Sequence, residues 1–225
     1  MTPVVVGDKY CGAPRNVGSP WYAGNIIARQ PQWLDRRTSV PGLDVSRFEV
    51  GLREVLRSPA DDGTVELIVR RPAEDEREVL VEAYLDPAAG LLGDGWLARK
   101  TAPTRQVAVM NARVAAMLAG SRSRWPLAGD QLFVDLDLSA VNLPPGSRLA
   151  VGTAVLEVSD DPHRGCKKFA DRFGVEALRL VNSQLGDELR LRGINARVVR
   201  AGLVRTGDPI RRHLAHDGYG ARRVA

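Results

Sequence analysis

Apolar and polar residues alternate in short runs over most of this chain, and only a few stretches repeat at helical spacing. Val65-Glu66-Leu67-Ile68-Val69 and Val79-Leu80-Val81-Glu82-Ala83-Tyr84 are β-branched runs separated by a charged turn, the pattern of a hairpin. Gln106 to Met110 and Leu132 to Leu136 predict further strands, and Arg148 to Ser159 predicts a long one bent at Gly152. Strands return at Ala196 to Arg200 and Leu203 to Arg205, before Gly207-Asp208-Pro209 turns the chain into Ile210. Helical spacing marks fewer places. Ser46 and Glu49 form a capping box ahead of Phe48, Leu52, Val55 and Leu56, which predicts a helix from Ser46 to Arg57. Asn111 caps a second helix with Val114, Met117 and Leu118 facing inward. Phe169 and Phe173, then Leu178, Val181, Leu185 and Leu189, place two helical pieces after residue 166. Many short strands with few helices predict a mainly β (α+β) fold built on a closed or nearly closed barrel.

The organisation follows from the breaks. Residues 1–60 are expected to form an irregular arm carrying the one short helix. The arm is punctuated by Pro14, Pro20, Pro31 and Pro41, and is either packed by Trp21, Tyr22 and Trp33 or partly disordered. Ser58-Pro59-Ala60-Asp61-Asp62-Gly63 marks the boundary to a barrel domain over 61–213, and 214–225 form a basic tail.

Composition narrows the function classes. A hydrophobic fraction of 44% permits a sizeable core without staples. Two cysteines, Cys11 and Cys166, cannot build a disulfide framework or an iron–sulfur cluster. No signal peptide is seen, and no run reaches the roughly eighteen apolar residues of a membrane span. These features predict a cytoplasmic location, no membrane association and reduced thiols. The net charge of +5 comes almost wholly from arginine interleaved with acids, without a basic stripe, so nucleic acid is not the expected partner. Hydrolase and nucleotide-binding fingerprints are absent from the sequence.

Candidate chemistry gathers at Asp161-Pro162-His163-Arg164-Gly165-Cys166-Lys167-Lys168-Phe169. A thiol acts as a nucleophile or metal ligand only as the thiolate, which nearby cations favour, and Pro162 and Gly165 mark a turn that can present it. The alternative is a buried cysteine acting as a small hydrophobe. Arg164, Lys167, Lys168 and Arg192 are candidate holders of an anionic group, against the alternative of a solvated charged face. His163 is a candidate for substrate orientation or proton transfer, against an ordinary loop histidine. Cys11 would serve as a resolving thiol only if the arm folds over the site.

Three segments carry a family resemblance. Ala89-Gly90-Leu91-Leu92-Gly93-Asp94-Gly95 resembles a Gly-Leu-x-Gly-Asp motif, and Ala128-Gly129-Asp130-Gln131-Leu132 resembles a Gly-x-Asn-Leu segment. The stretch from Gly152 to Ser159, then Cys166, then Leu191-Arg192-Gly193-Ile194-Asn195 through Gly207-Asp208-Pro209-Ile210, resembles the closing part of the MOSC domain, named for the C-terminal part of molybdenum-cofactor sulfurase. The match runs from about residue 62 to 212. Three positions depart from the family pattern: Gly165 precedes the cysteine where Pro is frequent, Gln131 stands where Asn is usual, and Asp130 stands where a basic residue or Glu is frequent. The resemblance implies a MOSC-type β-barrel in which Cys166 is the metal ligand of a molybdenum cofactor (molybdopterin). Arg164, Lys167, Lys168, Arg192 and Gln131 are then its expected binding residues, with Cys166 and His163 as the catalytic pair. The implied activity is reduction of N-hydroxylated or N-oxide small molecules, with electrons from a separate donor protein and no flavin or Fe–S centre. Two alternatives stay open: a persulfide carrier served by a sulfur-donor protein, and a non-catalytic module with a degenerate site.

Overall fold

A computed structural model describes residues 46–99 and 101–212; the expected N-terminal arm before residue 46, with Cys11, and the C-terminal tail lie outside the described residues. The strands are β1 (Gly63–Arg70), β2 (Glu78–Leu80), β3 (Glu82–Asp86), β4 (Gly90–Leu91), β5 (Val107–Asn111), β6 (Leu132–Asp135), β7 (Arg148–Val151), β8 (Ala154–Val158), β9 (Ile194–Arg200), β10 (Gly202–Arg205) and β11 (Pro209–Arg212). The helices are α1 (Glu49–Val55), α2 (Ala112–Ala119), α3 (Lys167–Phe173), α4 (Val175–Val181) and α5 (Gln184–Glu188).

Seven strands close a barrel in the order β1-β11-β7-β8-β9-β5-β6 and back to β1, confirming the predicted architecture. Closure is brief on one side: Gly63 pairs with Ile210 and Thr64 with Pro209, while farther along the same edge Ile68 to Arg70 pair with β2. Every barrel pairing is antiparallel except β5–β6, whose crossover consists of α2 and a 3-10 turn over Arg122–Ala128. The lumen is filled by apolar side chains, Val65, Ile68, Val107, Val109, Leu132, Val134, Leu149, Val151, Leu156 and Ile210 among them. It is a packed core and not a channel. Gly193, at φ +94°, brings β9 onto β5, because a Cβ there would lie 2.3 Å from the Val109 carbonyl oxygen.

Local chemistry explains both the agreement and the differences. Asn111 caps α2 as expected, accepting from the Arg113 and Val114 amides. The expected hairpin forms between β1 and β2, but the chain bends at Val81 and sends β3 into a separate small sheet with β4 and β10. The expected helix begins at Ser46 as a 3-10 turn that runs directly into α1, whose own cap position falls on Phe48, without a side-chain cap. The predicted long strand is two, β7 and β8, joined at Gly152 and Thr153. The second helical piece breaks at Asn182, and Ser183 caps α5 through the Gly186 amide. α1 packs on α2, and Pro59 and Ala60 accept hydrogen bonds from the Asp137 amide and the Asn142 side chain. No helix among the described residues is long and apolar enough to cross a membrane.

Candidate functional site

The segment carrying Cys166 leaves β8 and is pinned at both ends. At its start, Arg105 grips Asp161 with two hydrogen bonds of 2.6 and 2.7 Å, Thr104 adds a third, and Asn195 holds the Asp161 carbonyl. The Arg105 guanidinium keeps the Asp161 carboxyl below its ordinary value. At its end, Asn182 clamps Gly165, accepting from its amide at 2.9 Å and donating to its carbonyl at 3.1 Å. A Cβ on Gly165 would stand 2.7 Å from Leu178 Cδ1. Glycine in place of proline is therefore a local requirement: the N–H is in use and the space is filled. Cys166 occupies the cap position of α3, and its thiol is exposed, free and not spent on capping. The buried-hydrophobe alternative is thereby excluded. Phe169 and Phe173 anchor α3 below, their rings 4.9 Å apart.

Beneath the turn lies a buried polar cluster. Arg192 donates to Asp130 Oδ2 at 2.7 Å and to the Ala128 carbonyl at 2.9 Å, and its guanidinium stacks 5.0 Å over the Phe169 ring. His163 Nδ1 lies 3.4 Å from Asp130 Oδ1 without the alignment of a hydrogen bond. Burial holds the His163 imidazole well below its ordinary value, and the positive charges of Arg192, Arg71 and Arg105 add to the effect. Burial pushes the Asp130 carboxyl up, while Arg192 and Arg71 pull it back.

Beside this cluster opens a cleft of about 510 Å³. Its cations are Arg71, Arg77, Arg99, Lys168 and Arg172; Glu74 and Asp75 are its acids, and Gly95 and Gly129 present bare backbone. Asp94 organises one wall. Its wholly buried carboxylate accepts from Arg71 Nε at 2.9 Å, Arg71 Nη2 and Arg99 Nη2 at 3.0 Å, and the Arg71 and Trp96 amides. Arg71 reaches on to the Gly129 carbonyl, next to Asp130. The opposite wall is α3, whose Lys168 and Arg172 pair with Glu74 and Asp75. Burial and the neighbouring Arg172, Arg71 and Arg99 push the Arg77 guanidinium down, the mark of a crowded positive site. Four of the five cations are paired with a carboxylate, Arg71 and Arg99 with Asp94, Lys168 with Glu74 and Arg172 with Asp75.

The predicted site residues separate accordingly. Cys166 and His163 lie on one turn; Lys168 lines the cleft; Arg192 lies beneath the turn, committed to Asp130. Arg164 and Lys167 do not line the cleft but pair at the surface with Asp187 and Asp171. Gln131, an expected cofactor binder, lies within the barrel wall. Its side chain is buried, its oxygen accepts from the Ala108 amide at 2.7 Å and its amide donates to the Gln106 carbonyl at 3.0 Å. Sequence reasoning missed Arg71, Arg77, Arg99 and Arg172, which only the fold assembles, and the organising Asp94, although Asp94 closes a motif that was visible.

The family model described as MOSC domain matches residues 99–211, half of the chain. No curated protein matches. Among solved structures the chain is similar to the YuaD protein from Bacillus subtilis, with 19% identity and a TM-score of 0.49 over 66% of this chain and 94% of that one. It is also similar to YiiM from Escherichia coli, with 21% identity and a TM-score of 0.46 over 67% and 70% of the two chains. YiiM from Geobacillus stearothermophilus gives 15% identity and 0.47 over 69% and 77%.

Proposed function

The chain belongs to the MOSC domain family, and on that premise we propose that it binds a molybdenum–pterin cofactor through the Cys166 thiolate and serves as an oxidoreductase for N-hydroxylated or N-oxide compounds. One observation carries the reading: an exposed, uncommitted thiol heads the helix whose Lys168 and Arg172 wall a cation-lined cleft. The residues present fit the group. Among the described residues no cluster of three or more His, Cys, Asp or Glu could hold a metal ion, and Cys166 as a single ligand suits a metal that brings its other donors with it. A pterin dithiolene does so, and the phosphate on its far end suits the cleft cations Arg77, Arg99, Lys168 and Arg172, with Arg71 spent on Asp94 and the Gly129 carbonyl. When bound, such a group supplies removal of the N-bound oxygen as water, consuming two electrons and two protons.

The chain's own residues then divide the work. Cys166 ligates, the cleft arginines and Lys168 hold the anionic end, and His163, kept neutral, accepts or returns a proton. Electrons come from a separate donor protein. The exposure of Cys166, and its position outside the cleft lining, favour persulfide carriage as a second reading. The deciding experiment compares wild type and Cys166→Ala, expressed in a host that makes the cofactor, by elemental analysis and pterin fluorescence. Near-stoichiometric molybdenum that is lost in the variant supports the first reading. Cysteine-dependent sulfane sulfur without molybdenum supports the second, and absence of both leaves a non-catalytic module.

A further inference from the structure

Three buried polar atoms in one cluster lack a protein partner: Asp130 Oδ1, His163 Nδ1 and Arg192 Nε. Their neighbours constrain what each must be. Asp130 Oδ2 is taken by Arg192 Nη1 at 2.7 Å, and Arg192 Nη2 by the Ala128 carbonyl. Oδ1 is thus a free acceptor within an otherwise committed carboxylate, 3.4 Å from the imidazole. An arginine N–H can only donate and a carboxylate oxygen only accept, whereas an imidazole nitrogen does either according to its tautomer. A buried carboxylate oxygen 3.4 Å from Nδ1, though not aligned for a hydrogen bond in this structure, favours the tautomer that carries its proton there. The side chain of His163 keeps 17% of its exposure, none of it at Nδ1, so Nε2 is the nitrogen left for a ligand.

We propose that Asp130 is a positioning residue that holds His163 as the neutral Nδ1–H tautomer, so that Nε2 is an unprotonated proton acceptor three residues from Cys166. The assignment rests on the reading of the Cys166 turn as the reacting site. The charged groups around the imidazole are consistent with it: Arg192, Arg71 and Arg105 oppose a positive ring, while Asp161 is spent on Arg105. Arg192 also couples the device to the cysteine helix, because the guanidinium that binds Asp130 stacks on Phe169. Asp130 at a position next to the departed Gln131 thus has a function of its own.

The test is long-range proton–nitrogen NMR of the imidazoles in the full chain at pH 7, with the His163 signal identified by its loss in His163→Gln. Molybdenum content is measured on the same preparations. Wild type is expected to show a neutral His163 protonated at Nδ1. In Asp130→Asn a single oxygen must serve Arg192 and the NH2 faces the ring, which moves the proton to Nε2. A wild-type Nε2–H tautomer, a charged ring at pH 7, or a folded Asp130→Asn with an unmoved proton overturns the proposal. The wild-type spectrum decides even if that variant fails to fold. An Nδ1–H tautomer in a protein without molybdenum supports the role of Asp130 and sinks the cofactor reading instead.

Discussion

Asp94→Asn is the most informative perturbation of the cleft. The substitution keeps shape and volume but replaces one carboxylate oxygen by an NH2 group. Oδ1 accepts from Arg71 Nη2, Arg99 Nη2 and the Trp96 amide; Oδ2 accepts from Arg71 Nε and the Arg71 amide. Whichever way the new amide turns, it confronts two or three donors with another donor. Asp94 is wholly buried and the Arg71 side chain only 16% exposed, so water cannot repair the loss. Removing one partner of a buried charge pair costs about 3–5 kcal/mol. Arg99, at 43% exposed, adds only about 0–1 kcal/mol. A total of about 3–5 kcal/mol corresponds to a fall in Tm of about 6–20 °C for a chain of this size. Urea unfolding followed by circular dichroism measures it, and calorimetric titration with inorganic phosphate reports on the cleft. Because Arg71 and Arg99 lose their common anchor, phosphate should bind more weakly. A loss of stability below about 1 kcal/mol with unchanged phosphate affinity would refute the claim that Asp94 organises this wall.

Three further outcomes are expected. Cys166→Ala should change unfolding free energy by less than about 0.5 kcal/mol, since the thiol is exposed and makes no cap, and should abolish labelling by a maleimide at this position. Gly165→Pro restores the frequent family residue yet should destabilise by about 1–3 kcal/mol, because Asn182 loses its donor and the ring meets Leu178 and Val181; a neutral result in urea unfolding would contradict the packing. Stability should fall as pH drops below the ordinary histidine value of 6.5, because the folded state holds His163 neutral while the unfolded chain takes up a proton. The slope should be no more than about 1.4 kcal/mol per pH unit, and His163→Gln should remove its share in urea titrations between about pH 5 and 7.5.

What could be read before the fold was known was local. The alternation in β1 and β2, the Asn111 cap and the turn at Cys166 each depend on residues within a few positions of one another, and each appears in the structure. Asp208 behaves likewise, accepting from the Arg205 amide to cap its turn. The cleft was not legible because its parts lie far apart in the chain: Arg71 meets Asp94 across 23 residues, and Arg172 meets Asp75 across 97. In a chain with so many arginines, composition cannot separate the few that converge from those that pair at the surface. The helix from Ser46 was legible for the same local reason: a 3-10 turn and α1 follow one another, with Phe48, Leu52 and Val55 buried on the expected face.

Gln131 shows how a departure from a family pattern is to be weighed. At the sequence level it was the reason to entertain a degenerate site. In the structure it forms, with Gln106, a buried stitch across the barrel wall. Gln131 ties the Ala108 amide and the Gln106 carbonyl on the approach to β5, and Gln106 reaches both the Pro87 carbonyl and the Val198 amide in β9. All four side-chain contacts go to main chain, and both residues are buried. Buried amides of this kind must find partners, and their partners here are main-chain groups, two of them the Ala108 and Val198 amides within β5 and β9. The extra methylene of glutamine over asparagine gives the reach to bridge two strands. The substitution is therefore explained by the barrel alone. It says nothing against a ligand at Cys166, and the weight of that question passes to the thiol, to the arginines held by Asp94, and to His163.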